Sequence, residues 1–544
     1  MSRYIGARYV PKFMGVFDPT QAYENLCVVD NGSGTSYISK ITVPPGSSLT
    51  DPEYWAVYGA ASGAIISLQD QIDAIVNDFW TPEYYGAAGD GVTDDVTAIQ
   101  ACLNANDITI LNNSYYISNP ITIPEGHIVI GKGEIISDQR DFIVVMDNNT
   151  AINGISFSDT LTANASSGST IYAKDKHDLS VTNCHFETIG NGCCVCFEHC
   201  DHITVDNNTI KDYGHSGIKM IDSCRYISIQ FNDVYNARYT GGEHTYPICF
   251  SGYQLSDHGP ARFAKVNYNR IEEINHFWEG IDSHGARDYE VIGNYIKGCR
   301  YGIQLGSAAT SGNIFTDANT NAIINNNDID VEATGADLCY GIMLACDVGV
   351  TAKGVQICGN NIKGVQASNS ATAASAAITL RPDGAFEGVD ISGNVLDVTK
   401  MHGVTLDGGK MSNISIKNNY IKHISGGLSF YCFDISAMTS YDLITLENNN
   451  CDPTNDPTTA RFFIGPDSVA PNSGILTEYR NNNDNGLAVR QPLYDTSRKA
   501  ALPNVAKAIG GTGQFIPSTA GGTLAGWYCQ SPGTWLSIDG TIVP

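Results

Sequence analysis

Two acids, two imidazoles and an indole fall within the ten residues HFWEGIDSHG, 276–285. Glu279 and Asp282 lie three apart, with Trp278 before them and His284 two residues on. Cleaving a glycosidic bond takes two carboxyl groups. One is protonated and releases the leaving group; the other is ionised and activates water or attacks the sugar. Aromatic side chains offer flat apolar faces to a sugar ring. A second chemistry is open to the same stretch. In β-elimination, His284, His244 or Tyr246 would remove a proton, while Arg262 or Lys219 held a uronate carboxylate. Residues three apart in a straight strand point to opposite faces. The two acids can therefore share a site only if Gly280 bends the chain, and their separation then decides inversion or retention.

The elements that position these residues follow from a repeat. The phrases VTNCHF, VDNNTI, IQFNDV, VNYNRI, VIGNYI, INNNDI, ICGNNI, ISGNVL, IKNNYI and LENNNC carry Cys184, then Asn208, Asn232, Asn269, Asn294, Asn327, Asn360, Asn394, Asn419 and Asn449 at the fourth position. A base period near 24 residues, lengthened by insertions, is a solenoid signature. Alternating apolar residues mark strands, and Asn suits the corner because it tolerates left-handed backbone angles. A second phrase follows in most turns: GIKMI from 217, GIDSH from 280, GIQLG from 302, GIMLA from 341, GVTLD from 403. Two strands and a corner per period describe a coil of a parallel β-helix, rising roughly 4.8 Å per turn.

Stacking the second phrases gives three columns, the first two facing outward. One runs Cys196, Lys219, Cys249, Asp282, Gln304, Met343; another, Glu198, Ile221, Ser251, His284; a third, Ser216, Tyr246, Glu279, Tyr301, Tyr340. Glu279, Asp282 and His284 thus share a coil between Tyr246 and Tyr301. The longest spacing, 37 residues, precedes that coil and carries Glu243, His244, His258 and Arg262. Insertions beside a rigid ladder are where solenoids place binding sites. The candidate catalytic set is Glu279, Asp282, His284 and, in reserve, Glu243; the substrate-binding set is Tyr246, Trp278, Tyr301, His244, Lys219 and Arg262. A patch of Glu198 and Lys219 is the alternative location. Glu279→Gln and Asp282→Asn are expected to be surface changes worth no more than about 0.5 kcal/mol of stability.

Composition limits the partners. The 544 residues carry 31 Lys+Arg against 57 Asp+Glu, a formal charge of −26, which argues against nucleic acid and mildly against an acidic glycan. No apolar run is long enough to span a membrane, and the N-terminus lacks the apolar segment of a signal peptide. The 16 cysteines are therefore expected as thiols. The cluster Cys193, Cys194, Cys196 and Cys200 does not have paired zinc spacing, and Cys200 and Cys224 should stack in the core. No metal and no cofactor are expected.

The segment YYGAAGDGVTDDVTAIQACLNA, 84–105, resembles the opening motif of the pectate-lyase-like right-handed β-helix superfamily, with Val96 in place of its Thr. Gly89 and Gly91 allow a turn, Asp94 or Asp95 caps a helix, and Asp90, Asp94 and Asp95 read as structural. Residues 15–59, with Tyr23, Tyr37, Tyr54 and Trp55, loosely resemble small carbohydrate-binding modules; a mini-core around Trp55, or a virion attachment module, is the preferred reading. Ile65, Leu68, Ile72, Ile75 and Phe79 form a two-heptad seam whose Ile content leans towards three strands.

In layout the chain resembles a bacteriophage tailspike of the capsule-depolymerase type. The resemblance implies an all-β homotrimer: an attachment or carbohydrate-binding-like module at 1–60, a coiled-coil neck at 61–80, a right-handed single-stranded parallel β-helix at 81–455 and a β-rich cap at 456–544. It further implies a hydrolase that depolymerises a bacterial surface polysaccharide. Such a protein would be made in the host cytoplasm, joined through its N-terminus to the phage tail or baseplate, and carried on the virion tail. Lyase action and non-catalytic glycan binding are the alternatives.

Overall fold

The computed structural model describes residues 12–60, 80–452 and a few strands beyond, apart from 34, 140, 162–166, 188, 191, 239–244, 252–259, 274–277, 307–319, 334–337, 367–374, 383, 425–429 and 436–439. The chain divides into two compact units, Met1–Tyr84 and Tyr85–Pro544. In the first, a four-stranded sheet surrounds Tyr23, Cys27, Val29, Val43 and Trp55. Trp55 is buried against Tyr23 and Phe17, so it serves a mini-core and presents no face to a ligand. The heptad seam lies outside the described residues.

The second unit is a right-handed parallel β-helix. Its described strands form three long parallel sheets of 15, 14 and 14 strands. Each coil therefore has three strands, not the two read from the sequence. In the catalytic-candidate coil, Glu279–Ser283 belongs to one sheet, Ala286–Ile292 to the next and Tyr295–Cys299 to the third. Inward Ile, Val, Leu and Phe stack into one continuous core, where each fully buried side chain contributes about 1.5–3 kcal/mol. Cys200 and Cys224 are fully buried in it, with the Cys200 amide donating to Cys224 Sγ at 3.4 Å.

The Asn column sets the register. Asn294 shows the pattern. Its Nδ2 donates to Val266 O at 2.8 Å and to Asn327 Oδ1 at 2.9 Å. Its Oδ1 accepts the backbone N–H and the Nδ2 of Asn269, at 2.9 and 3.0 Å. The same ladder runs from Asn208 to Asn449. Every amide is buried and used, which is what makes a buried polar column tolerable. The left-handed angles fall one residue earlier than expected, at Asn183, Asn207, Phe231, Tyr268, Gly293 and Asn326. The ladder Asn is chosen for its side-chain hydrogen bonds, and its neighbour makes the turn.

Helix Val96–Ala105 closes the first coil with Ala98, Ile99, Cys102 and Leu103. Gln100 pairs with both backbone groups of Thr122, at 2.8 and 2.9 Å, on the strand edge that would otherwise be open. Asp95 stands at the N-cap but makes no cap bond; its carboxylate accepts the amides of Ala88 and Gly89. Asp90 accepts those of Val92 and Thr93, and Asp94 binds Ser118. All three acids are thus structural. Among the described residues no helix is long and apolar enough to cross a membrane, and no group of His, Cys, Asp or Glu could hold a metal ion.

Candidate active site

The columns read from the sequence are the registers of the fold. Cys196 pairs with Lys219, Lys219 with Cys249, Cys249 with Asp282 and Asp282 with Gln304. Ser216 pairs with Tyr246, Glu279 with Tyr301 and Tyr301 with Tyr340. Both acids face outward from the same strand because two consecutive residues between them face inward. Ile281 lies in the core. A Cβ on Gly280 would sit 2.7 Å from Ile296 Cγ2, 3.3 Å from Cys299 Sγ and 2.7 Å from Gly302 O. Only glycine leaves room there, and this inward step brings Glu279 and Asp282 to one face.

Outward does not mean exposed. Glu279 keeps 2% of its surface accessible and Asp282 none, which corrects the expectation of surface residues. Trp278, Leu338, Tyr301, Tyr340, Met343 and Ala376 pack together as a second apolar layer outside the sheet. Trp278 meets Tyr301 edge to face at 5.6 Å, and the Arg300 guanidinium lies 4.2 Å over the indole. Arg300 went unnoticed in the sequence. Its signal was its place: Glu279 pairs with Tyr301, so Arg300 must stack on Trp278.

The electrostatics separate the two acids. Burial, and then the charge of Asp282, hold the Glu279 carboxyl well above the usual carboxylate range, with Arg300 pulling the other way. Asp282 Oδ2 lies 3.0 Å from His284 Nε2 and accepts the Cys249 thiol at 3.4 Å. The charge of Asp282 raises the His284 pKa against burial and against Lys219. Both shifts favour the protonated form, of the Glu279 carboxyl and of the His284 imidazole, and a carboxyl group that keeps its proton is what the acid of an acid–base mechanism needs. Tyr246 flanks His284 edge to face at 6.3 Å.

The other candidates divide. Trp278, Tyr246, Tyr301 and Lys219 lie on the same outward face as the acids. Arg262 does not: it lies in the strand Ala261–Asn267 of the neighbouring sheet, in register with Arg225 and Arg287. Glu243, His244 and His258 fall outside the described residues. The alternative patch at Glu198 is occupied by its own partners, with Lys174 at 2.5 Å and Tyr172 at 2.9 Å. A cleft of about 680 Å³ opens elsewhere, between Ser114, Glu134, Ser158, His185 and Glu187. There the two acids lie two coils apart. Glu134 is bonded by serines and Glu187 by His185 and Lys211, so both carboxylates are already engaged.

No family model matches the sequence, and no curated protein matches it. Among solved structures the chain is similar to the catalytic unit of a GH87 α-1,3-glucanase from Streptomyces thermodiastaticus strain HF3-3. The identity is 14% and the TM-score 0.48, over 77% of this chain and 70% of that one. It is also similar to a DFA-IIIase from Arthrobacter chlorophenolicus A6, at 12% identity and a TM-score of 0.48, over 62% of this chain and 93% of that one. At these scores neither likeness assigns an activity; the site has to carry it.

Proposed function

We propose that the protein depolymerises a bacterial surface polysaccharide by glycoside hydrolysis at Glu279 and Asp282. The observation that carries the reading is the coil itself: two carboxyl groups on one outward face, with burial and the charge of one favouring the protonated form of the other. Glu279 donates its proton to the departing glycosidic oxygen. Asp282, oriented by His284, serves as base or nucleophile. Trp278, the partly buried aromatic of the outer layer, supplies surface for the sugars, and Tyr246 and Tyr301 pack behind the site. Elimination is the weaker reading, because the charge of Asp282 favours the protonated imidazole of His284, and an imidazolium is no base for carbon acid chemistry. The phage-tailspike assignment, the homotrimer, the N-terminal attachment to tail or baseplate and the virion location extend this reading. They rest on the layout and on the 65–79 seam.

The test is a reducing-end assay on a panel of capsular and O-antigen polysaccharides, with Glu279→Gln and Asp282→Asn alongside. Hydrolysis should release reducing ends without the ultraviolet absorbance of unsaturated uronate, and each variant should lose roughly 10² or more in rate. Binding should persist in both. Unsaturated products would replace the hydrolase with a lyase. Binding without any product from the wild type would leave a receptor-binding spike, and full turnover by both variants would remove this site.

A further inference from the structure

Asp282 has two oxygens in different surroundings. Oδ2 accepts the Cys249 thiol at 3.4 Å and faces His284 Nε2 at 3.0 Å. Oδ1 is buried and, among the described residues, has no hydrogen-bond partner. A buried carboxylate oxygen left in that state loses its hydration without compensation, a cost tolerated at sites that await a ligand. Cys249 comes from the preceding coil, in register with Asp282, and is 2% exposed. One coil further back, the same column holds Lys219.

We infer that Cys249 is a positioning residue for the proposed hydrolysis: its S–H, together with His284, fixes the Asp282 carboxylate through Oδ2 and turns Oδ1 towards the sugar or the attacking water. This rests on the reading of Asp282 as base or nucleophile. The choice of a thiol has a physical reason. A lysine in direct contact would pair with Asp282 as an ion and drain its basicity. A neutral thiol is a weak donor, so it orients the carboxylate and leaves most of the charge for chemistry. Burial and the neighbouring charge of Asp282 both push the Cys249 pKa up, which keeps the proton on sulfur where the bond needs it. His284 is partly accessible and can change partners as substrate enters. Cys249 cannot, because its strand is locked into the ladder.

The experiment compares wild type, Cys249→Ala, Cys249→Ser and Asp282→Asn on the polysaccharide that the wild type cuts, with kcat, KM and the pH profile measured for each. Cys249→Ala should lower kcat about tenfold, the rate equivalent of one hydrogen bond to a charged group, with KM within about twofold. Without its donor the carboxylate holds its proton more tightly, so the acid limb of the profile should move to higher pH. Cys249→Ser restores a donor and should recover part of the rate and return the limb. A Cys249→Ala enzyme with wild-type kcat and an unmoved profile overturns the inference. So does a rate loss that Ser fails to rescue and that tracks a fall in melting temperature, since that is a packing effect. If Asp282→Asn is also fully active, the hydrolytic site falls too; if Asp282→Asn is inactive while Cys249→Ala is normal, only the role of Cys249 falls.

Discussion

Glu279→Gln should stabilise the protein while abolishing its activity, and the stabilisation should depend on pH. In the unfolded chain this carboxyl titrates near 4.5, whereas in the fold burial and Asp282 raise its pKa well above that. Between the two values the folded state binds more protons than the unfolded one. Wild-type stability therefore falls as pH rises through that window, and the full penalty is reached above the folded pKa. Glutamine occupies the same 2%-exposed position and stays neutral at every pH. The variant gains about 1.4 kcal/mol for each unit by which the folded pKa exceeds the unfolded one. For a unit as long as Tyr85–Pro544, an unfolding entropy of about 2.1 cal/mol/K per residue turns each kcal/mol into roughly 1 °C of melting temperature. Calorimetry at one scan rate, from about pH 4 to 8, is the assay. The two curves should nearly meet at the acid end and separate as pH rises, with the variant above. Activity should fall by about 10² or more. A variant that melts below wild type at pH 7.5, or a gap that stays constant with pH, would refute the assignment of Glu279 as the protonated acid.

Two further outcomes test the scaffold. Asn294→Ala removes an amide that serves Val266 O, Asn327 Oδ1 and both donors of Asn269. At about 1–3 kcal/mol for each buried group left unpaired, it should cost about 3–5 kcal/mol by denaturant titration, and a loss under about 1 kcal/mol would show that the ladder is dispensable. Ile72→Asp, at the centre of the 65–79 seam, should reduce a trimer to smaller species by light scattering while the circular dichroism of the β-helix is kept, because a solenoid buries its core within each chain; a wild type that is already monomeric would remove the trimer.

The sequence made the columns legible and left their surroundings hidden. Asn208 to Asn449 fix the register, so Glu279, Tyr301 and Tyr340 could be stacked correctly without coordinates. The third strand of each coil escaped because phrases such as VDNNTI span two elements. Asp201–Asp206 ends one strand, Asn207 turns, and Thr209–Lys211 is a strand too short to show its own alternation. Bending at Gly280 was required by the chemistry and could be named in advance. Burial of the acids could not, because outward positions of a β-helix are read as solvated by default. The cover comes partly from Trp278, Tyr301, Tyr340 and Met343, three of which belong to the next two coils, and no pattern within one repeat announces an outer layer.

In the proposed hydrolysis, that outer layer is what would turn a pair of surface carboxylates into an acid and a base. Two exposed acids three residues apart would both be ionised at neutral pH, and the pair would have no proton to give. Here Gly280 and Ile281 step inward together, which places Glu279 and Asp282 on one face. The aromatic layer then takes water from Glu279, and Asp282 keeps its charge company with His284 and Cys249. The surroundings of the two acids differ: Asp282 Oδ2 has Cys249 and His284 against it, while burial and the charge of Asp282 raise the Glu279 carboxyl. Chemistry on this scaffold therefore depends less on which acids the outward columns contain than on how unequally the neighbouring coils surround them. Glu198, with Lys174 and Tyr172 on its two oxygens, shows the opposite case, a carboxylate on the same sheet whose surroundings leave it nothing to do but hold the fold.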